Sequence, residues 1–182
     1  VVIAILPRSA FPQLQPCLTW EDATAAVPSL RYGHAMAYDS RRNVVVLFGG
    51  ESSSGELGDT WEWDGTQWWL RSTTGPEMRY EHAMAYDSLR GVVVLFGGYH
   101  YVSESHWRLR DTWEWDGTTW TLRSTGGPQA RFLHAMAFDS HRNVTVLFGG
   151  YPFGTDTWEW DGTAWTIRAF GLPPFRGGNV MA

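Results

Sequence analysis

An arginine begins each copy of a repeated segment of the chain, and these guanidinium groups are the first candidates for chemistry. A guanidinium group binds a carboxylate or a phosphate through two parallel hydrogen bonds. Four such groups near the mouth of one channel would predict an anion site, formed by Arg31, Arg79, Arg131 and Arg176. The alternative is an ion pair inside the protein between each arginine and the aspartate that follows in its repeat, at Asp59, Asp111 and Asp156.

One histidine also recurs in each repeat, at His34, His82 and His134. Imidazole is a common zinc ligand, but no carboxylate recurs with these residues at a matching spacing. We therefore interpret them as side chains that contact a neighbouring repeat. A second candidate metal site, with looser spacing, combines His100, Glu104 and His106. The sequence predicts no metal site and no cofactor.

The longest irregular segment, residues 99–110, is rich in aromatic, histidine and arginine side chains, which often anchor protein interfaces. The alternative is a loop whose aromatic side chains pack on one another. Residues 51–58 and 151–155 occupy the same place in the other two repeats. The candidate ligand-binding residues of these segments are His100, Tyr101, Glu104, His106, Trp107, Arg108, Arg110, Tyr151 and Phe153.

A catalytic site is not indicated by the sequence. Nucleophilic catalysis requires a nucleophile, a base and an orienting group that lie together. Such a combination neither recurs in the repeats nor clusters along the sequence. The single cysteine, Cys17, excludes an internal disulfide framework and a cysteine-clustered zinc site. We therefore expect a non-catalytic chain.

The elements that position these residues follow from the repeat itself. Each copy begins with Arg-x-x-His-Ala-Met-Ala and continues with an apolar run that ends in Gly-Gly. Each copy then closes with Asp-Thr-Trp-Glu-Trp-Asp-Gly and a single Trp. Aromatic and β-branched residues favour strands, and Asp-Gly-Thr favours a hairpin turn. Each copy therefore predicts four antiparallel strands, and their repetition predicts the blades of an all-β propeller.

The variation in repeat length predicts where recognition takes place. All of it falls between the Gly-Gly pair and the next aspartate, in residues 51–58, 99–110 and 151–155. Strand direction alternates within a blade, so these three segments are expected on one rim of the propeller. Variable loops on a rigid scaffold usually carry recognition.

These blocks together resemble the kelch motif, over roughly residues 18–182. The nearest competitor is the WD40 propeller, but Glu81 and Leu133 stand where that pattern has glycine. The resemblance implies a kelch-type β-propeller of four-stranded antiparallel blades, with three complete blades and partial blades at both ends. It also implies a role in protein interaction.

We divide the chain into a non-repeat N-terminal segment, residues 1–16, and a kelch propeller segment, residues 17–182. Three blades cannot close a ring, because propellers have about 4 to 8 blades. We therefore expect a fragment of a larger propeller, a ring completed by a second chain, or a small ring that the N-terminal segment closes. The complete blades are expected at about 31–72, 79–123 and 131–168, with partial strands at 17–20 and 176–182.

Composition narrows the classes of partner. The 182 residues carry 14 basic and 19 acidic side chains, so the chain lacks the positive field that nucleic-acid binding requires. A hydrophobic content of 43% with only 18% charged residues excludes a disordered chain. No apolar run is long enough to span a membrane.

We predict a non-catalytic scaffold that binds a protein through the rim with residues 51–58, 99–110 and 151–155. The arginines suit an acidic partner, and self-association to complete a ring is a further expectation. One alternative is a glycan-binding module that uses the rim aromatics. Another is a fragment of a propeller enzyme similar to galactose oxidase. An extracellular or cell-surface location is compatible with the sequence.

Overall fold

Three four-stranded antiparallel sheets form the body of the protein in a computed structural model, which describes residues 27–102, 105–152 and 154–170. Blade 1 has, in spatial order, β1 (Ala35–Asp39), β2 (Val44–Phe48), β5 (Thr60–Trp63) and β6 (Trp68–Ser72). Blade 2 has β7 (Ala83–Asp87), β8 (Val92–Phe96), β11 (Thr112–Trp115) and β12 (Trp120–Ser124). Blade 3 has β13 (Ala135–Asp139), β14 (Val144–Phe148), β15 (Asp156–Trp160) and β16 (Trp165–Phe170).

Two small hairpins follow the paired glycines of blades 1 and 2. β3 (Glu51–Ser52) pairs with β4 (Gly55–Glu56), and β9 (Tyr99–Val102) pairs with β10 (Ser105–Arg108). The sequence pattern suggested loops here, because these segments lack the alternation of apolar and polar residues that marks a half-buried strand. Backbone pairing, rather than burial of an apolar face, defines both hairpins.

The hydrophobic core lies between successive blades. In the first interface, Val46 and Phe48 of blade 1 pack against Met84, Val93 and Trp115 of blade 2. The second interface repeats this arrangement one blade further on, with Val94, Phe96, Met136 and Trp160. The alternation of side chains along each strand therefore gives every blade two apolar faces. We call the face toward the following blade the leading face and the other the trailing face.

A buried glutamate joins blade 1 to blade 2, and its equivalent joins blade 2 to blade 3. Glu62 accepts hydrogen bonds from Arg42, Arg71 and the indole of Trp115. The equivalent residue of blade 2, Glu114, is bonded in the same way by Arg90, Arg123 and Trp160. A buried carboxylate is tolerated when charged partners and hydrogen bonds compensate its lost hydration.

The paired glycines allow the next blade to approach. A Cβ atom on Gly49 would lie 2.6 Å from the carbonyl oxygen of Arg79, which is shorter than real contacts allow. The adjacent Gly50 donates its backbone N–H to that same oxygen, over 2.8 Å. Both glycines also have positive φ, at 64° and 98°. Close approach and backbone conformation therefore both require glycine here.

These sheets confirm the predicted all-β fold of four-stranded antiparallel blades in a partial propeller. Residues 1–16 and the expected partial strands at 17–20 and 176–182 lie outside the described residues. Within the described part of the chain, no helix has the length and apolar character that crossing a bilayer requires.

Candidate functional site

A continuous row of aromatic rings crosses the boundaries between blades at one edge of the protein. The ring centroids of Tyr32 and Tyr80 are 6.4 Å apart, and those of Tyr80 and Tyr99 are 5.4 Å apart. Phe132 follows 4.9 Å from Tyr99, and Tyr151 follows 5.5 Å from Phe132. Three of these four contacts are edge-to-face and the last is tilted, within the usual range for aromatic pairs. We call these five residues the aromatic row, and the edge that carries them with hairpins β3–β4 and β9–β10 the rim.

The repeat positions the aromatic row through the backbone. The residue after each repeat arginine forms an isolated antiparallel bridge with the residue after each Gly-Gly pair. These bridges are Tyr32 with Glu51, Tyr80 with Tyr99, and Phe132 with Tyr151. Both members of each bridge occupy fixed positions in the repeat. Each blade therefore places its row residues at the same end of its sheet.

The arginine that precedes each row residue at positions 32, 80 and 132 forms an ion pair with an aspartate of its own blade. Arg79 is fully buried and binds both carboxylate oxygens of Asp111, at 2.7 and 2.8 Å. It also donates to the carbonyl oxygens of Gly97 and Glu77, each at 2.9 Å. Its donors are thus used inside the protein, in a bidentate ion pair of the kind that holds planar groups rigidly.

The same pairing recurs in the other two described blades, between Arg31 and Asp59 and between Arg131 and Asp156. Burial opposes ionisation of Asp111, but the hydrogen bonds from Arg79 and Trp113 hold the pKa of its carboxyl below the usual value. The arrangement is the internal ion pair that the sequence analysis gave as the alternative to an anion site. Arg176 lies outside the described residues.

A cleft of about 780 Å³ lies on the rim between the two hairpins. Aromatic, acidic, methionine and small residues line the cleft: Tyr32, Glu51, Ser54, Gly55, Glu56, Met78, Tyr80 and Tyr101. Aromatic and methionine side chains with a few polar groups are typical of recognition sites. The cleft lies between Tyr32 and Tyr80 of the aromatic row and residues of both hairpins.

The two charged side chains that line this cleft are carboxylates, Glu51 and Glu56. Burial, followed by the negative charges of Glu51 and Glu81, raises the pKa of Tyr80 to about 12. Burial and the charge of Glu51 also raise the pKa of Glu81. No hydrogen bond or ion pair engages the Glu81 carboxylate within the described part of the chain. A cation near these groups would relieve their mutual repulsion.

Glu56 links the two hairpins. Its carboxylate accepts a hydrogen bond from the backbone N–H of Tyr101, at 2.6 Å, and contacts Nδ1 of His100, at 2.5 Å. His100 therefore lies behind the cleft wall and fixes one hairpin against the other.

The structure separates the predicted rim residues into three groups. Tyr101 lines the cleft and His100 lies behind its wall, in contact with Glu56. Trp107, Arg108, Arg110 and Tyr151 are exposed elsewhere on the rim segments. Glu104, Phe153 and the side chain of His106 lie outside the described residues. Four further lining residues belong to the predicted rim segment 51–58 but were not singled out, namely Glu51, Ser54, Gly55 and Glu56. The sequence did not predict Tyr32, Met78 or Tyr80, although the aromatic residue after each repeat arginine was a visible signal.

The repeat histidines lie at blade boundaries rather than at the rim. The imidazole of His82 makes an edge contact with Phe48 of the preceding blade, with centroids 5.5 Å apart. Burial, assisted by the charge of Arg131, lowers the pKa of His134 to about 3. Among the residues that the structure describes, no group of histidine, cysteine and carboxylate side chains has the geometry for a metal ion.

Stacked four-stranded antiparallel blades define a β-propeller repeat protein. Residues 16–157 match the family model described as the KLHDC2/KLHL20/DRC7 Kelch-repeats domain. The chain therefore belongs to the kelch-repeat family, and the predicted resemblance is confirmed. No curated protein was found to match the chain. Kelch domains generally bind other proteins, which supports an interaction scaffold as the coarse function.

Proposed function

We propose that this chain binds a protein partner through the rim, and that the cleft between the two hairpins receives a basic segment of that partner. The observation that carries this proposal is the aromatic row, which leads into a cleft whose charged lining residues are carboxylates. Surface aromatic residues near one another are the usual anchors of interfaces.

The exposure of the row supports binding at this edge. Tyr32 and Tyr151, at the two ends of the row, are 58% and 51% exposed, and Tyr101 beside the cleft is 51% exposed. These rings retain large apolar surfaces in water, and burying them against a partner is favourable. The rigid blades beneath them reduce the entropy that binding would otherwise lose.

The charge of the cleft favours a cationic partner over the acidic one expected from the sequence. The repeat arginines that suggested an acidic partner are committed to internal aspartates. At the cleft, Glu51 and Glu56 line the wall, and the charge of Glu81 acts on the neighbouring Tyr80. A lysine or arginine side chain gains from both, through ion pairing and through cation–π contact with a ring.

Selection of random displayed peptides on the full chain tests this proposal without assuming a partner. We expect the selected peptides to be enriched in arginine and lysine, and their affinity, measured by calorimetry, to fall as salt rises. Tyr101→Ser should weaken their binding at least about 5-fold, since an exposed aromatic anchor contributes about 1 kcal/mol or more. The double variant Glu51→Gln/Glu81→Gln should weaken binding and reduce its dependence on salt.

Trp69→Ser provides the matched control, because Trp69 is an exposed aromatic residue on edge strand β6. Its affinity for the same peptides should equal that of the unmodified chain. Peptides that bind the Tyr101→Ser variant normally, or that lose affinity in the Trp69→Ser variant, would place the interaction away from the cleft. Enrichment of acidic peptides would refute the cationic partner while leaving a protein-binding role intact.

A further inference from the structure

The trailing face of blade 1 exposes side chains that blades 2 and 3 bury. Met36 is 53% exposed, whereas the equivalent Met84 and Met136 are 7% and 6% exposed. Tyr38 of the same face is 54% exposed. A shallow apolar depression of about 300 Å³ lies there, lined by Met36, Val45, Trp63 and Trp68. In blade 2 all four equivalent residues form the interface with blade 1, and in blade 3 the equivalent methionine and two tryptophans form the interface with blade 2.

The two formed interfaces show which chemistry covers such a face. Each brings a leading face with valine and phenylalanine side chains, together with two hydrogen-bond acceptors. The indole of Trp115 donates to Glu62 at 3.1 Å, and that of Trp120 donates to Thr60 at 2.8 Å. The next interface repeats both distances, from Trp160 to Glu114 and from Trp165 to Thr112.

On blade 1, the equivalent indoles are those of Trp63 and Trp68. Neither has a hydrogen-bond acceptor among residues 27–102, 105–152 and 154–170. Each indole N–H that turns away from water requires an acceptor. The trailing face of blade 1 thus presents two donors in the positions that the other two blades use.

The leading face of blade 3 presents the matching acceptors. Glu159 is held by Arg142 and Arg168, as Glu114 is held by Arg90 and Arg123. No described tryptophan donates to Glu159, whereas Glu62 and Glu114 each receive one. Val146 and Phe148 are only partly buried, in contrast to the fully buried Val46 and Phe48.

We propose that the leading face of blade 3 docks on the trailing face of blade 1 of a second copy of this chain. The contact is head-to-tail, so Glu159 and Thr157 of one copy accept the indole N–H groups of Trp63 and Trp68 of the other. Two copies with three described blades each bring six blades together, which lies within the 4 to 8 of closed propellers. A head-to-tail contact that closes gives a finite assembly rather than a filament. This surface is separate from the rim, so the inference is independent of the proposed partner binding.

Sedimentation velocity of the full 182-residue chain tests the inference. We expect a species of twice the 20.6 kDa chain mass at about 10–100 μM, in equilibrium with the single chain on dilution. Trp63→Arg places a charge in the apolar depression and should weaken association at least about 30-fold. Trp69→Arg is the matched control on edge strand β6 and should leave association unchanged.

Complementation distinguishes a lost contact from a misfolded variant. Val146→Arg should also abolish association, because it alters the leading face of blade 3. A mixture of the Trp63→Arg and Val146→Arg variants keeps one intact pair of faces, so the doubled mass should return at higher concentration. A chain that stays single at about 100 μM would overturn the inference and indicate that residues outside the described ranges cover the faces. A doubled mass that survives Trp63→Arg, or a mixture that fails to associate, would also overturn it.

Discussion

The hydrogen bond from Trp160 to Glu114 gives a quantitative test of how one blade holds the next. The two residues are 1% and 2% exposed, and the indole N–H donates across the blade boundary over 3.1 Å. The carboxylate also binds Arg90 and Arg123 within its own blade. Trp160→Phe removes the donor and keeps an aromatic ring, and Glu114→Gln neutralises the acceptor.

The expected magnitude follows from the charge of the acceptor. A hydrogen bond to a charged group contributes about 1.5–3 kcal/mol, against about 0.5–1.5 kcal/mol between neutral groups. Trp160→Phe should therefore reduce the free energy of unfolding by about 2 kcal/mol through the lost hydrogen bond. The packing contacts that the smaller ring no longer makes reduce it further. In the Glu114→Gln background the same substitution should cost about 1 kcal/mol less, and this difference is the coupling between the two residues.

Urea unfolding followed by far-ultraviolet circular dichroism gives all four free energies of the cycle. Trp63→Phe in dilute protein is the matched control, because the equivalent indole of blade 1 has no acceptor in the described part of the chain. It should cost less than about 1 kcal/mol. A coupling of zero, or a Trp63→Phe cost equal to that of Trp160→Phe, would refute the argument that this bond joins the blades.

Four further substitutions test other parts of the structure. Burial lowers the pKa of His134 to about 3 in the folded protein, against about 6.5 in the unfolded chain. Neutral His134 is therefore fully compatible with the fold above pH 6.5, and the free energy of unfolding falls as the pH drops from 6.5 toward 3. His134→Leu should therefore reduce the slope of unfolding free energy between pH 6.5 and 4.5 by about 1.4 kcal/mol per pH unit, measured by urea unfolding at several pH values, and an unchanged slope would count against it. Glu81→Gly should raise the free energy of unfolding by about 0.5–1 kcal/mol, because Glu81 has a left-handed backbone with φ of 54°. Gly33→Ala at the equivalent position should lower the free energy of unfolding, because the added Cβ would lie 3.1 Å from the Cβ of Tyr80. A lower thermal midpoint in the Glu81→Gly variant would contradict this. Arg79→Met leaves the partly buried carboxylate of Asp111 without its cation and should cost up to about 3–5 kcal/mol in chemical unfolding. A loss below about 1 kcal/mol would show that the pair is dispensable.

The blades could be predicted from the sequence because their determinants are local. The recurring strand patterns and the Asp-Gly turns appear in order along the chain, and the pairing of Arg79 with Asp111 follows from two fixed places in one repeat. The aromatic row could not be derived in the same way. Its contact between Tyr99 and Phe132 joins one blade to the next, so it depends on how blades stack rather than on any local pattern.

The negative cleft was missed for a related reason. Glu56 belongs to hairpin β3–β4 of blade 1 and contacts His100 in hairpin β9–β10 of the following blade. Nothing in the spacing of these residues indicates that the two hairpins meet. The recurring arginines therefore predicted an acidic partner, but their charge is compensated by internal aspartates.

Hydrogen–deuterium exchange with and without a selected peptide tests most directly where a partner binds. Partner binding at the cleft predicts slower exchange in residues 51–56, 78–81 and 99–102, which surround it. It predicts unchanged exchange in residues 64–67, 116–119 and 161–164, the turns at the opposite ends of the blades. Protection of those turns, with the rim unaffected, would contradict the assignment of the rim as the interaction surface.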